Sequence, residues 1–208
     1  MLVKRGILVA IEGCDRSGKS TQAKMLVDYL SNAGYRTVLR QFPNRTTEIG
    51  KIINLYLTNL NEISDEVVHL LFSANRWESV SEIKDQLSAG TNIIVDRYAY
   101  SGVSFSVAKG MDIEWCKSPD RGLPRPDRVI FLDLNPELAQ QRGKYGQERY
   151  ETPDFQAKVY DSYHMLKENN WAVINADRSQ DPIQEEIRTL ISNDIDCLPN
   201  EPLAKLWS

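Results

Sequence analysis

Gly13-Cys14-Asp15-Arg16-Ser17-Gly18-Lys19-Ser20 follows a short apolar run, Ile7 to Glu12, and opens an amphipathic stretch that continues to Ala33. The eight residues satisfy G-x-x-x-x-G-K-[ST], and they stand where a phosphate-binding loop must stand, after a buried strand and before a helix. Glycines at both ends let the backbone curl until consecutive N–H groups point inward at phosphate oxygens, and the helix N-terminus adds its positive dipole. In that frame Lys19 reaches the β and γ phosphates, and the Ser20 hydroxyl ligates magnesium. The expected ligand is a nucleoside triphosphate with Mg2+, and the expected chemistry is transfer of its terminal phosphoryl group.

Three residues inside the loop carry open readings. Arg16 places a guanidinium beside the transferring group, where it acts as an arginine finger in cis or else stays solvated. Asp15 is either a turn-stabilising carboxylate or an acceptor for a substrate hydroxyl. Cys14 reads as a small spacer, with nothing to support a redox role.

Outward from the loop, apolar segments alternate between strand-like and helix-like character, which predicts an α/β fold around a parallel sheet. Ile7 to Glu12, Thr37 to Phe42, Asn92 to Asp96, Arg128 to Leu134 and Trp171 to Asn175 read as its strands. Lys19 to Ala33 reads as a helix closed by Gly34 in a left-handed cap, and Thr46 to Leu57 as another. Asp65 to Leu87 reads as one longer helix, with Val68, Leu71 and Phe72 along one face. Gly143 to Thr152 sets two glycines amid polar and aromatic residues without an apolar period, so it reads as a mobile loop or lid. The tail after Cys197 is expected to pack back through Leu203, Leu206 and Trp207. No repeat, low-complexity tract or linker interrupts the 208 residues, which predicts one domain over 1–208.

In an open α/β sheet the ligand lies outside the carboxyl ends of the strands, so the residues just after each strand matter most. The second strand ends Phe42-Pro43-Asn44-Arg45 and the third Asp96-Arg97-Tyr98. Asp96, closing an apolar strand, suits a magnesium-holding carboxylate, with a helix cap as the alternative. Arg45 and Arg97 can clamp a second phosphate in line with the first, or serve as structural ion pairs. Phe72 and Arg76 lie four residues apart on one helical face, so a base stacked on Phe72 presents its edge to Arg76. A guanidinium only donates hydrogen bonds; it accepts a keto group and rejects an amino group. Phe72 as pure core remains the competing reading.

Composition narrows the partners. The formal net charge is −4 and basic residues are scattered rather than blocked, so no long basic face is offered to a nucleic acid polymer. Three cysteines, at 14, 116 and 197, match neither a disulfide framework nor a metal site, which predicts a reducing compartment. Cytoplasmic residence is the expectation, with nuclear residence also open. Met1 to Ile11 reads as a first strand rather than a signal peptide, and no apolar run is long enough to cross a bilayer.

Taken together, these residues resemble the eukaryotic-type thymidylate kinases, which phosphorylate dTMP to dTDP with ATP. The resemblance runs nearly end to end. Its markers are the Asp-Arg-containing loop ending Gly18-Lys19-Ser20-Thr21, Phe42 to Arg45, Leu70 to Trp77, Asp96-Arg97-Tyr98 through Ser101-Gly102, Gly122-Leu123-Pro124 with Pro126-Asp127, and Glu148 to Glu151. It implies the P-loop nucleoside monophosphate kinase fold, with a five-stranded parallel sheet flanked by helices, a lid at about 136–155, and a homodimer.

The resemblance also implies roles. Gly13 to Thr21, including Ser17 and Gly18, would cradle ATP. Arg16 would be the catalytic arginine, with Lys19, Asp15 and Arg97 completing the catalytic set. Phe72 would stack on thymine, Arg76 would bond its keto oxygen, and Arg45 and Arg97 would hold the monophosphate, with Phe42 and Gly102 lining the same site. Asp15 would meet the sugar 3′-hydroxyl, Phe105 would crowd the 2′ position, and Tyr150 and Gln156 would close from the lid side. Arg142 and Arg149 leave a lid contribution to catalysis open; Arg142, Arg178 and Arg188 can approach the donor nucleotide, with a solvated role as the alternative for Arg178 and Arg188.

The competing readings are a kinase of another nucleotide or deoxynucleoside, or a non-catalytic nucleotide-binding module. A regulatory GTPase fits poorly, because the guanine motif Asn-Lys-x-Asp is absent and Asp96-Arg97 stands where Asp-x-x-Gly is expected.

Overall fold

Alternating side chains on five short strands build the frame. The computed structural model describes residues 4–142, 148–197 and 202–208. In chain order it contains β1 (Leu8–Glu12), α1 (Lys19–Asn32), β2 (Thr37–Gln41), α2 (Glu48–Leu57), α3 (Asp65–Trp77), α4 (Val80–Ser88) and β3 (Asn92–Asp96). There follow α5 (Ala99–Val107), α6 (Ile113–Lys117), a single 3-10 turn (Ser118–Asp120), β4 (Arg128–Asp133), α7 (Pro136–Gln140), α8 (Pro153–His164), β5 (Trp171–Asn175) and α9 (Gln180–Cys197).

The strands form one all-parallel sheet in the order β2-β3-β1-β4-β5. β1 and β3 are buried along their whole length, as central parallel strands covered on both faces must be. The period of two sorts their side chains between two cores. Ile7, Val9 and Ile11 point toward α1 and α9, meeting Ala23, Leu26, Ile183, Ile187 and Ile191. Leu8 and Ala10 point the other way, toward Val80 and Ile83 of α4, Val103 of α5 and Tyr163 of α8. A third cluster, around Ile53, Tyr56, Leu57 and Val68, joins α2 to α3 beside the sheet.

β1 lies between β3 and β4, so the connections leaving its neighbours part on either side of its carboxyl end. That opening is the crevice where an open α/β sheet binds ligands. The phosphate-binding loop sits in it.

The helix expected over Asp65 to Leu87 is two helices, broken at Glu78-Ser79. The reason is that one straight rod cannot serve both surfaces: α3 packs on α2 and α5, whereas α4 covers β3. At the break Asn75 Nδ2 donates to Glu78 Oε1 (2.7 Å), to Thr47 Oγ1 (3.0 Å) and to the Asn44 carbonyl (3.2 Å), tying the bend to the segment after β2. The helix expected from Thr46 begins at Glu48, capped by the Thr47 hydroxyl on the Gly50 N–H. The tail packs as expected: Leu206 is fully buried, and Trp207 lies edge-on to Tyr100 at 5.5 Å. Of the lid expected at Gly143 to Thr152, residues 143–147 lie outside the described residues. No described helix is long and apolar enough to cross a membrane.

Candidate active site

The turn at the end of β1 requires glycine at position 13. Its φ is +144°, and a Cβ there would stand 2.7 Å from the Leu132 carbonyl oxygen and 2.8 Å from Ser17 Oγ. The loop then wraps back on itself, and the Lys19 ammonium donates to the Cys14 carbonyl at 2.6 Å and to Ser17 Oγ at 3.4 Å. Burial, with the Arg97 charge nearby, pulls this ammonium down from its ordinary 10.5 to about 8, against the pull of the Asp15 and Asp96 carboxylates. The Cys14 thiol is pushed up to about 12 by burial, as an inert spacer would be.

Asp96 sits beneath the first turn of α1. Its Oδ2 accepts the Ser20 hydroxyl at 2.5 Å, while its buried Oδ1 has no hydrogen-bond partner among the described residues. A carboxylate and a hydroxyl side by side, with one carboxylate oxygen left over, fit a hard divalent cation that takes oxygen ligands. Magnesium suits that donor set.

Asp15 points across the loop mouth. Its Oδ1 pairs with Arg97 Nη2, its Oδ2 accepts Gln156 Nε2 at 2.7 Å, and its own N–H donates to Gln156 Oε1 at 2.9 Å. Arg97 holds a left-handed φ of +67° and also reaches the Gly13 carbonyl (3.4 Å) and Ser101 Oγ (3.3 Å). The residue that keeps this turn in place went unremarked in the sequence. Glu12 is fully buried and accepts from the N–H groups of Tyr98 (2.8 Å) and Ser101 (3.2 Å), from Ser101 Oγ (2.5 Å) and from Tyr163 OH (2.9 Å). It binds β1, the start of α5 and α8 together around Arg97. Its signal was available: a carboxylate closing an apolar strand, the same mark that singled out Asp96.

From Asp15 and Arg97 a single cleft runs to Phe42, Arg45, Phe72, Arg76, Gly102, Phe105 and Tyr150. Phe72 is half-buried on its wall. Arg76 is almost wholly buried, with Nε 3.1 Å and Nη2 2.5 Å from the two oxygens of Asp120. Gly102 makes room for it, since a Cβ there would stand 2.9 Å from Nη2 and 3.0 Å from Nη1. Arg45 pairs with Glu148 at 2.8 Å near the rim. Tyr150 stacks on Phe155 (5.1 Å), meets Phe105 edge-on (5.4 Å) and shares a 3.0 Å hydrogen bond with the Tyr56 hydroxyl. Lys109, also missed, lines the cleft with its ammonium 4.8 Å from the Tyr150 ring centre.

The remaining arginines divide. Arg16, at φ +65°, pairs with Glu151 at 2.9 Å, so it is held at the loop rather than solvated. Arg142 donates to the carbonyls of Arg16 (3.4 Å) and Ala176 (2.6 Å), beside the loop. Arg178, after β5, bonds the Asn175 carbonyl and Glu186. Arg149 is turned away: it pairs with Glu62, donates to the Tyr56 carbonyl and lies 4.2 Å over the Tyr56 ring. Arg188 does not approach the loop. Its guanidinium stacks on Tyr29 at 4.7 Å, ten residues and about 15 Å along α1 from Lys19. Facing Tyr29 buries the arginine stem between α9 and α1. Ser20 and Thr21 are exposed on the first turn of α1.

A phosphate loop, a carboxylate–hydroxyl pair suited to magnesium, and a cleft joining two arginines to an aromatic wall can hold two phosphorylated ligands end to end. Comparison with known proteins points the same way. Residues 11–187 match the family model for thymidylate kinase. The chain is 48% identical to the thymidylate kinase of Arabidopsis thaliana over 98% of its own length and 78% of that protein. It is 46% identical to that of Homo sapiens, with both chains covered completely. The solved thymidylate kinase of Candida albicans superposes with a TM-score of 0.88 at 38% identity, covering 97% of this chain and 98% of that one. With the phosphate loop, the Asp96-Arg97 strand end and the Phe72–Arg76 wall in one crevice, the chain belongs to the thymidylate kinase family.

Proposed function

We propose that this chain transfers the γ-phosphoryl group of MgATP directly to the phosphate of dTMP, giving dTDP, the precursor of dTTP. The observation that carries the reading is the single cleft running from Asp15 and Arg97 at the phosphate loop to Phe72 and Arg76. Its lining puts charged groups at the loop end and an aromatic wall with an arginine between α3 and α5, as a nucleotide with its phosphate toward the loop and its base toward Phe72 requires.

In this account the loop N–H groups and Lys19 hold the donor phosphates, with Arg142 and Arg178 toward the rest of the donor nucleotide. Ser20 and Asp96 would hold magnesium, which would supply positive charge to offset that of the donor phosphates. Arg45 and Arg97 draw the acceptor phosphate into line, Asp15 takes the sugar 3′-hydroxyl, and Phe105 crowds the 2′ position. Phe72 stacks on thymine while Arg76 donates to its keto oxygen. Arg16 stabilises the charge spread over the moving phosphoryl group. No general base is required, because the acceptor phosphate is already a nucleophile. Tyr150 and Gln156 close over the substrate and help to exclude water, which would otherwise divert the phosphoryl group.

A homodimer is part of the same reading. Val67, Leu70 and Trp77 are exposed along one face of α3, and Ile52 and Leu55 are exposed on α2, which packs on α3. Light scattering coupled to size exclusion tests it. Two buried thiols, Cys14 and Cys116, suit residence in the reducing cytoplasm or nucleus. The test of the activity is one coupled assay over dTMP, other nucleoside monophosphates and deoxynucleosides with ATP. dTMP should be turned over preferentially; preference for thymidine or deoxycytidine would replace the assignment.

A further inference from the structure

We propose that Asp120 is a specificity-determining residue: it clamps Arg76 so that the cleft accepts a keto base and rejects an amino base. The inference rests on the assignment of the cleft to dTMP.

The geometry is that of a side-on fork. Asp120 engages Nε and Nη2 of Arg76 at 3.1 and 2.5 Å, and both side chains are excluded from water. Two carboxylate oxygens against two guanidinium nitrogens fix the plane as well as the position of the group. Nη1 has no hydrogen-bond partner among the described residues, and Arg76 lines the cleft beside Gly102. The clamp therefore leaves a donor of fixed direction toward the ligand.

Asp120 is itself held. Ser73, one turn before Arg76 on α3, donates its hydroxyl to Asp120 Oδ1 at 2.7 Å and to the Pro119 carbonyl at 3.0 Å, and Trp77 Nε1 donates to the same carbonyl at 2.7 Å. Three side chains from two successive turns of α3, Ser73, Arg76 and Trp77, thus grip the Ser118–Asp120 turn. On α5, Gly102 leaves the guanidinium the room it occupies, and a Cβ there would stand 2.9 Å from Nη2.

A clamped donor discriminates better than a mobile one. Opposite a keto oxygen it makes a hydrogen bond; opposite an exocyclic amino group it sets donor against donor, and it cannot rotate away to relieve the conflict. The paired charge also makes the base end of the cleft nearly neutral, so it offers a hydrogen bond rather than a second phosphate site.

The test compares kcat/KM for dTMP and dCMP in the wild type and in Asp120→Asn, with ATP KM and melting temperature recorded alongside. Failure of the wild type to prefer dTMP would remove the assignment of the activity, before any variant is considered. Given that preference, Asp120→Asn should lower the dTMP-to-dCMP ratio about ten- to a hundredfold, with ATP KM within about twofold. Equal losses on both substrates, with the ratio unchanged, would mean that Asp120 only supports the fold and would overturn the proposal. Should Asp120→Asn not fold, Gly102→Ala carries the test on a helix-compatible substitution. The new methyl would stand 2.9 Å from Nη2 and force the guanidinium out of the direction that Asp120 sets, so the ratio should fall about tenfold. A ratio unchanged in Gly102→Ala would show that the direction of the Arg76 donor does not set the base preference, and would likewise end the proposal.

Discussion

The two ends of the cleft use arginine in opposite ways. At the base end, Arg76 and Asp120 are 2% and 0% exposed, locked side-on between α3 and α5. At the phosphate end, Arg16, Arg45 and Arg97 pair with Glu151, Glu148 and Asp15, and their side chains are 30%, 41% and 20% exposed. A buried, doubly bonded pair is costly to disturb, whereas the exposed rim pair Arg45–Glu148 is worth at most about 1 kcal/mol and is readily exchanged for another anion, with Arg16–Glu151 and Arg97–Asp15 in between. The difference teaches a division of labour. Recognition of an uncharged base edge calls for a fixed donor, while handling phosphates that arrive, react and leave calls for cations whose carboxylate partners a phosphate can replace.

The largest expected effect falls on the exchangeable end. Arg16→Ala should lower kcat by about a thousandfold or more, with modest change in dTMP KM, because the lost interaction forms only in the transition state. Steady-state rates measure it, and near-normal turnover would remove Arg16 from catalysis.

A second test uses the lysine of the phosphate loop. With the Lys19 ammonium lowered to about 8, the unfolded chain binds more protons than the fold between pH 8 and 10.5, so this group's contribution to stability rises with pH across that window. At pH 7 the buried charge costs the free protein about 3 kcal/mol. Lys19→Met should therefore raise the melting temperature while reducing turnover. In the wild type, kcat/KM for ATP should fall as pH rises through about 8, while kcat holds to higher pH because bound phosphates favour the protonated amine. Calorimetry and pH–rate profiles read the two effects; a melting temperature lowered by Lys19→Met would contradict the burial cost.

The smallest effect sharpens the comparison most. Glu148→Gln releases Arg45 from a partly exposed pair and should lower dTMP KM by less than about fivefold, with kcat unchanged. A large change would mean that the rim pair is as firmly built as Arg76–Asp120.

Much of this was legible in the residues because it is local. Gly13 to Ser20 carries its own spacing, and Asp96 is a carboxylate ending an apolar strand. Phe72 and Arg76 announce a shared face by lying four apart. What escaped depends on distant partners. Asp120 is 44 residues from Arg76, and no period links the Ser118–Asp120 turn to α3. Glu12 carries the same mark as Asp96, but its partners, Tyr98, Ser101 and Tyr163, are 86 to 151 residues away and only the fold brings them to it. The break at Glu78-Ser79 has no glycine or proline to signal it, because it comes from two surfaces that one helix cannot cover. Arg188, which the resemblance leaves open to the donor nucleotide, is turned elsewhere: the burial of Ile183, Ile187 and Ile191 fixes which way α9 faces, and that rotation aims Arg188 at Tyr29.

The most direct test of the central claim is the initial rate of nucleoside diphosphate formation by the purified protein with MgATP over the panel of monophosphates and deoxynucleosides. The account predicts dTDP from dTMP as the preferred reaction, with dCMP and the deoxynucleosides far behind. Preferential turnover of a deoxynucleoside, or no dTDP from folded protein, would contradict it.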